Sequence, residues 1–343
     1  MKPDWAIRAN GKDVTQAFWP HLISIKVRDE SKDEADSLTL TLANQDLDLA
    51  PPTQGDELEI LMGYQNALLS VGTFIVDKVS FQGPPDQVII ACKSAAFAKP
   101  NGGASMEPWL VRKTRSWEPG TLDTIAKTIA GEHGVELVAP SDLLAMATPH
   151  IDQTEQEDTA LLYALIEPRG YLVKVAEGKL ILARQSAGNT TNARTGQSLK
   201  AVTISKGQVS TYSGEWAERS VYDQVIAYWH DPAAGVTNYE TAGEGSRTFR
   251  FVNPAPDQAT ARDWAKGTLA KYQRQGGKMS LTMPGRADLQ SEQLVTLEAF
   301  PYPLSASPTQ AAIAKQWILK SVEHVLSRSG FTTSITGEPF IQT

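Results

Sequence analysis

The chain has 343 residues, of which 41% are hydrophobic, and its 39 acidic and 32 basic side chains give a net charge of −7. This length exceeds one small core and predicts two or three domains. The acidic balance argues against a dedicated nucleic-acid binder, and no run reaches the roughly 20 apolar residues of a membrane helix. Because the first residues lack the apolar core of a signal peptide, we expect a soluble protein made in a cytoplasm.

The first hundred residues contain about six or seven short stretches of alternating polarity, separated by turn signals. Asn10-Gly11 tolerates positive φ at both turn positions and predicts a hairpin. Leu22–Arg28 and Leu38–Leu42 alternate between apolar and polar side chains. The pattern predicts an antiparallel barrel or sandwich. The one cysteine, Cys92, lies in an apolar run, which predicts a buried free thiol.

After residue 98 the pattern changes to helices and short strands, which predicts a small α+β domain. Helical spacing of apolar residues predicts a helix over Thr121–His133, and the capping box Thr154–Glu157 predicts the start of a second one. Trp109–Trp117 carries three basic residues between two tryptophans. Because it is isolated in an acidic chain, we interpret it as an edge strand or protein contact rather than a nucleic-acid site.

Part of the first β-region recurs near the C-terminus. Gln54–Phe81 and Gln290–Val325 share Gln, Leu, Leu and an aromatic residue at the same offsets, which matches Leu58 with Leu294. We interpret the two copies as β-units of one ancestral kind, although any two amphipathic strands resemble each other. Each copy follows an alternating strand, Leu38–Leu42 in the first and Met279–Met283 in the second.

The C-terminal half also contains the longest predicted helix. Apolar residues at helical spacing follow Asp257, a suitable N-cap, and the run ends at Gly276, which predicts a helix at about 256–275. Its two aromatic residues favour packing against its own β-unit. The predicted domains are residues 1–98, a first β-unit; 99–190, an inserted α+β domain; and 191–343, a second β-unit with the long helix.

The sequence lacks the common motifs of catalysis and metal binding. It has no Gly-x-Ser-x-Gly, His-Glu-x-x-His, Walker or dinucleotide-binding motif, and no two of its five histidines have metal-ligand spacing. Glu155, Glu157 and Asp158 are interpreted as acids of a first helical turn, favoured by the helix dipole. We therefore predict no catalytic, cofactor-binding or metal-binding residue, no cofactor, and a structural protein rather than an enzyme. A distant acid pair of the lysozyme type stays open.

Acidic residues cluster in the first β-unit. A solvated loop is one interpretation, and an acidic lining that lets a polyanion pass without sticking is the other. The cluster comprises Asp29, Glu30, Asp33, Glu34 and Asp36, followed by Asp46, Asp48, Asp56 and Glu57.

Several motifs occur in a specific order and spacing along the chain. They include Leu38–Asp46, Gly72–Asp77, Gln153–Leu162 and Trp317–Thr333. In these motifs the chain resembles, over nearly its whole length, the phage late control protein D family, the baseplate hub of contractile phage tails and R-type tail-like bacteriocins. One departure is the extra acid Glu157 in the central motif.

The resemblance implies two antiparallel β-barrels like those of tail tubes, plus the α+β insertion. It implies a homotrimer whose six barrels form a pseudo-sixfold ring, which adapts the hexameric tail tube to the trimeric spike and nucleates the tube. The implied partners are further copies of the chain, the trimeric central spike, the tail tube or a tube-initiator protein, and tape measure and baseplate wedge proteins. Membrane insertion and specific nucleic-acid binding are not implied.

The resemblance also implies assembly in the bacterial host cytoplasm and a place in the baseplate of a virion or tailocin. Two alternatives stay open. The hub portion of a type VI secretion spike would be expected to carry a C-terminal β-helix, for which the sequence up to Thr343 shows no repeats. A hub with peptidoglycan-degrading activity would be expected to carry a catalytic constellation.

Overall fold

The computed structural model describes residues 2–31, 36–45, 50–65, 67–94, 109, 111–176, 178–185, 199–216, 222–301 and 315–341. Antiparallel strands dominate, with an α+β insertion, which confirms the predicted fold class. No helix in these ranges is long and apolar enough to cross a membrane. Both predicted domain boundaries, at 98/99 and 190/191, lie outside the described residues and stay predictions.

The first β-unit has the alternating burial that its sequence predicts. Leu38, Leu40 and Leu42 are fully buried, and the threonines between them are only half-buried. Asn10 and Gly11 both have positive φ and join two strands, which confirms the hairpin. The elements are β1 Pro3–Ala9, β2 Lys12–Asp13, the short helix Thr15–Phe18, β3 Leu22–Glu30, β4 Ser37–Ala43, β5 Glu57–Tyr64, β6 Ala67–Gln82 and β7 Gln87–Ser94.

The single cysteine lies in the core of this unit. Cys92 on β7 is 2% exposed, which confirms the predicted buried thiol. Burial raises the pKa of the Cys92 thiol to about 12. The thiol is therefore neutral and unreactive at physiological pH.

The α+β insertion packs helices and short strands around a separate core. Its strands are β8 Lys113–Trp117, β9 Gly120–Thr121, β10 Glu136–Val138, β11 Ala147–Thr148, β12 Ile151–Gln156, β13 Tyr171–Ala176 and β14 Lys179–Arg184. Its helices are Leu122–Glu132, Ser141–Leu144 and Asp158–Ile166.

Two predictions for the insertion have different outcomes. The basic stretch forms β8 and pairs with β12, in agreement with its interpretation as a strand. The capping box at Thr154–Glu157 is wrong, because residues up to Gln156 extend β12 and the helix begins at Asp158 without a side-chain cap. Pairing with β8 keeps this segment extended, so its capping residues do not form a helical turn.

The C-terminal half contains a second β-unit and a smaller sheet. The strands are β15 Val202–Ser205, β16 Thr211–Trp216, β17 Gln224–Asp231, β18 Val236–Gly243, β19 Thr248–Arg250, β20 Gly277–Pro284, β21 Leu294–Glu298, β22 Gln316–Ser327 and β23 Gly330–Pro339. β17, β18 and β19 form a three-stranded sheet of their own. The other six belong to the main 13-stranded sheet and make up the second β-unit.

The long helix Gln258–Gln275 begins where the sequence predicts. Asp257 caps it, because its Oδ1 accepts a hydrogen bond from Thr260 N at 2.7 Å. Packing against its own β-unit is not what the structure shows. Ala261, Ala265 and Leu269 instead pack on Val225 and its neighbours in the sheet of β17 and β18. That sheet has an apolar face of its own, which the helix covers.

The same helix crosses the insertion at a close contact between backbones. A Cβ added at Gly267 would lie 2.6 Å from the carbonyl oxygen of Pro168 and 2.7 Å from the amide nitrogen of Gly170. Contacts this short do not occur for real Cβ atoms, so the helix and the turn would have to separate. Glycine at this position therefore lets the long helix dock on the 3₁₀ turn Glu167–Arg169.

Gly267→Ala should destabilise the protein by about 1–3 kcal/mol through overpacking, although alanine favours helices by up to about 1 kcal/mol over glycine. Gly131→Ala is the matched control, since Gly131 is also helical and a Cβ there meets nothing within 4 Å. Urea unfolding of both variants measures the difference. A stability gain for Gly267→Ala similar to that of the control would contradict the close crossing.

Candidate assembly surfaces

The two β-units share one strand order. The first runs β3-β4-β7-β6-β5 and the second runs β16-β20-β23-β22-β21, with every neighbouring pair antiparallel. They differ at the next strand, because β1 pairs with β5 antiparallel whereas β15 pairs with β21 in parallel. The shared order supports the duplication inferred from the sequence.

A β-bulge occurs at the same place in both units. The ladder between β6 and β7 skips Asp77, and the ladder between β22 and β23 skips Lys320. Each skipped residue stands three places after the buried aromatic that opens the repeated strand, Phe74 or Trp317. Bulges fix the bend and register of a strand, so a shared bulge is a specific sign of common architecture.

The ladders correct the sequence match by one residue in β5 and β21. Ile75 lies opposite Glu57, and its counterpart Ile318 lies opposite Leu294. Leu294 therefore corresponds to Glu57 and not to Leu58. Burial agrees, because Glu57 and Leu294 are both half-buried whereas Leu58 is fully buried.

The two β-units are joined edge to edge in one continuous sheet. The second half of β22 pairs antiparallel with β3, from Ser321 opposite Glu30 to Ser327 opposite Ser24. A salt bridge of 2.8 Å between Lys26 Nζ and Glu323 Oε2 crosses this joint. The joint is therefore an ordinary antiparallel ladder with its own ion pair.

Side chains of the second unit also enter the core of the first. Leu326 and Phe331, from β22 and β23, are 4% exposed and pack with the first unit's apolar residues. The rings of Phe331 and Tyr64 have centroids 5.8 Å apart. The joint thus combines backbone pairing with shared apolar burial.

The insertion docks on this joint through one lysine. Lys174 Nζ on β13 donates to Asp29 Oδ1 at 2.7 Å, to the Glu30 carbonyl and to Ser291 Oγ, and it lies 3.4 Å from Asp36. Asp29 is 4% exposed, and its carboxylate also accepts from the Ser291 amide. Through Lys174 and Ser291, Asp29 and Asp36 connect the first β-unit with β13 and with the segment before β21. These two acids are therefore internal contacts and not part of an acidic lining. Four other members of the acidic group, Asp33, Glu34, Asp46 and Asp48, lie outside the described residues.

A second charge cluster lies inside the insertion around Asp158. Its carboxylate, 1% exposed, is contacted by Lys113 at 2.6 Å, Arg115 at 2.8 Å, His133 Nε2 at 2.8 Å and Gln153 at 2.9 Å. Burial opposes its ionised form, but hydrogen bonds from His133, Gln153 and Lys113 outweigh it and hold the pKa of Asp158 well below its ordinary value. Asp158 is therefore an ionised, buried anchor with four side-chain partners, and not only an acid that favours the first turn of a helix.

The histidines are spread through the fold. His324 is buried and its Nδ1 lies 3.0 Å from Thr333 Oγ1, which is a structural contact within the sheet. His230 stands at the end of β17, where Asp231 accepts hydrogen bonds from the turn that follows. Within the described ranges, no three His, Cys, Asp or Glu residues are grouped to hold a metal ion.

Several strand edges have no partner strand among the described residues, and two of them belong to strands that the two β-units share. One is the outer edge of β16, the last strand of the main sheet, and the other is the second half of β6 on the side of β5. Both carry exposed aromatics, since Tyr212 on β16 is 44% exposed and Phe81 on β6 is 69% exposed. Exposed edges with apolar side chains are ready to pair with another chain. Nothing in the sequence distinguishes these two strands, because their residues alternate like those of core strands.

No family model matches the chain. The chain is 27% identical to the "Probable baseplate hub protein" of Escherichia phage P2, over 98% of this chain and 92% of the relative. It is 26% identical to the protein described in the same words from Escherichia phage 186, with the same coverage.

Solved structures share the fold. A 43 kDa tail protein of prophage MuSo2 from Shewanella oneidensis superposes with a TM-score of 0.66 at 14% identity, covering 98% of both chains. A tail protein from Neisseria meningitidis also gives 0.66 at 14% identity, covering 98% of this chain and 97% of its own. A type VI secretion component from E. coli gives 0.55 at 11% identity, over 94% of this chain and 74% of its own. With the sequence motifs, these findings show that the chain is similar over nearly its whole length to the baseplate hub proteins of phages P2 and 186 and shares the fold of phage tail proteins.

Proposed function

We propose that this protein is the structural hub of a contractile-tail baseplate, a homotrimer that adapts a hexameric tail tube to a trimeric spike and nucleates the tube. The joint between its two like β-units carries the proposal. At that joint the outer edge of β3 in one unit meets the second half of β22 in the other. Such a contact joins two different surfaces, so its repetition gives a ring when the rotation closes.

Each chain supplies two β-units of the same strand order. Three chains then supply six similar positions, which suits a hexameric tube on one face. The chain itself repeats only three times, which suits a trimeric spike on the other face. The remaining proposed partners are a tube-initiator protein, the tape measure and baseplate wedge proteins, with assembly in the bacterial host cytoplasm.

A non-enzymatic role completes the proposal. The proposed work of the hub is mechanical, and the charge clusters at Asp29 and Asp158 are occupied by internal partners. A peptidoglycan-digestion assay on the purified protein should therefore show no release of muropeptides. Digestion by the full chain would favour the alternative of a wall-degrading hub.

The type VI alternative is supported only by fold. The E. coli secretion component superposes less closely than the two tail proteins, and both curated relatives are phage proteins. These findings favour the phage-tail assignment.

Light scattering of the purified protein, alone and with its candidate spike, tests the trimer. We expect a mass about three times the 37.3 kDa subunit mass, either alone or when the spike is added. Electron microscopy of that species should show a ring with six similar lobes. A monomer that ignores a trimeric spike would contradict the proposed adaptor role.

A further inference from the structure

The two strands of the internal joint, β3 and the second half of β22, have counterparts in β16 and the second half of β6, whose edges are unpaired among the described residues. In the ladders to β4 and β20, Val27 of β3 lies opposite Leu38, and Gly214 of β16 lies opposite Met279. Since β4 and β20 are equivalent strands, β16 is the counterpart of β3. The second half of β6 is likewise the counterpart of the second half of β22, because both follow the shared bulge. Each β-unit therefore carries one edge of each kind.

The burial of β16 shows that this edge lacks a cover among the described residues. In β3, which is covered by β22, Ile25 and Val27 are at most 1% exposed. In β16 the five residues from Thr211 to Glu215 are all exposed, including the side of the strand that should face a core. An alternating strand normally buries every second side chain. The continuous exposure of β16 is the pattern of an edge whose neighbour belongs to another molecule.

The register of the internal joint can be transferred to the unpaired edges. His324 lies opposite Val27 in the joint, and their counterparts are Phe81 and Gly214. A Cβ added at Gly214 would meet nothing within 4 Å, so the space beside it is open. An aromatic side chain can cover a glycine on a neighbouring strand and shield its backbone from water. The 69% exposed ring of Phe81 is suited to that space.

We propose that the second half of β6 in one chain pairs antiparallel with the outer edge of β16 in the next chain, with Phe81 opposite Gly214. This inference rests on the proposed trimer and specifies its interface. Three such contacts alternate with three internal joints, and the ladder continues around the ring. Neither of these two edges is then left exposed on the ring, and exposed edges otherwise favour aggregation.

A cysteine pair tests the register. Directly opposed residues in a ladder have Cβ atoms about 4.5–5.5 Å apart, close to disulfide range. The double variant Phe81→Cys and Gly214→Cys should form covalent dimers and trimers on mild oxidation, whereas either single variant should not. Cys92 is 2% exposed and does not compete. The matched control pairs Leu69→Cys with Gly214→Cys, since Leu69 is a 49% exposed residue in the first half of the same strand.

A charge substitution tests the edge independently of disulfide geometry. Phe81→Glu should weaken the trimer. The protein concentration below which the trimer dissociates should rise by about tenfold or more, equivalent to about 1.4 kcal/mol. Tyr239→Glu is the control, because Tyr239 is 66% exposed on a different sheet and should leave assembly unchanged.

The outcomes separate the interface from the function. A wild-type trimer with no Phe81–Gly214 crosslink, or with equal crosslinking of the Leu69 control, would overturn the register and leave the hub proposal standing. A Phe81→Glu trimer as stable as the wild type would overturn the edge itself. A wild-type monomer, with or without the spike, would contradict both proposals.

Discussion

Phe331→Ala should lower the free energy of unfolding by about 3–5 kcal/mol, the cost of emptying a well-packed aromatic site. The ring is 4% exposed and belongs by sequence to the second β-unit, yet it packs in the core of the first. The ring packs directly on the backbone of Gly285, because a Cβ added there would overlap the Phe331 ring. The resulting cavity would lie at the joint between the two units.

Chemical denaturation measures the loss, and hydrogen exchange locates it. Backbone amides of β3 and β22 should exchange faster in Phe331→Ala, while the helices of the insertion keep their protection. Tyr239→Ala is the control, since Tyr239 is an exposed aromatic on another sheet and its removal should change stability by less than about 0.5 kcal/mol. Faster exchange throughout the chain would show that Phe331 supports global stability rather than the joint.

Strand identity could be predicted from local pattern because burial on one face of a sheet imposes a period of two. Leu38–Leu42 and Met279–Met283 show that period, and both form strands with their large residues buried. The two stretches also occupy equivalent places in the two units, as the sequence match predicts. The local sequence was sufficient to predict these strands, since strand propensity and burial favour the same structure.

The exact register of the duplication could not be predicted from the sequence. Matching Leu58 with Leu294 maximises identity, but the ladders match Leu294 with Glu57. A shift of one residue exchanges the two faces of a strand. In these strands hydrophobic residues occur on both faces, so composition does not distinguish the two registers. Only the residues opposite them in the ladders, Ile75 and Ile318, distinguish the two registers.

Tertiary packing also decided where the long helix lies. Its apolar stripe was visible, but the choice of partner depended on a sheet formed by β17, β18 and β19, which the sequence did not separate from the second β-unit. The unpaired edges raise the same problem. Phe81 alternates with its neighbours as a core residue would, and its exposure is apparent only in the folded chain.

The Asp158 cluster shows the limit of reading acids from their position along the chain. As the first residue of a helix, Asp158 suggests a favourable dipole contact and nothing more. The fold brings Lys113 and Arg115 from β8 and His133 from beyond another helix onto the same carboxylate. Their positions in sequence are too far apart for a motif.

Asp158→Asn should destabilise the insertion by roughly 3 kcal/mol, at the low end of the cost of breaking a buried ion pair. The variant leaves two cations and His133 without their shared anion. The cost stays at the low end because Lys113 and Arg115 keep Glu132, at 2.7 and 2.6 Å, and remain partly exposed. Thermal unfolding at neutral pH measures the effect. Asp152→Asn, at an exposed acid on the same β12 strand, should leave the unfolding midpoint unchanged.

The pH dependence of stability separates charge from shape in this cluster. Because the folded pKa of Asp158 is depressed below its unfolded value of about 3.9, its contribution is complete above that value and is lost as pH falls toward the folded pKa. Wild-type stability should therefore fall more steeply below about pH 4 than that of Asp158→Asn, and the two curves should converge in acid. Parallel curves would mean that the variant loses packing rather than an ionised anchor. Convergence would identify the Asp158 carboxylate as the charge that holds β8 and the helices Leu122–Glu132 and Asp158–Ile166 together.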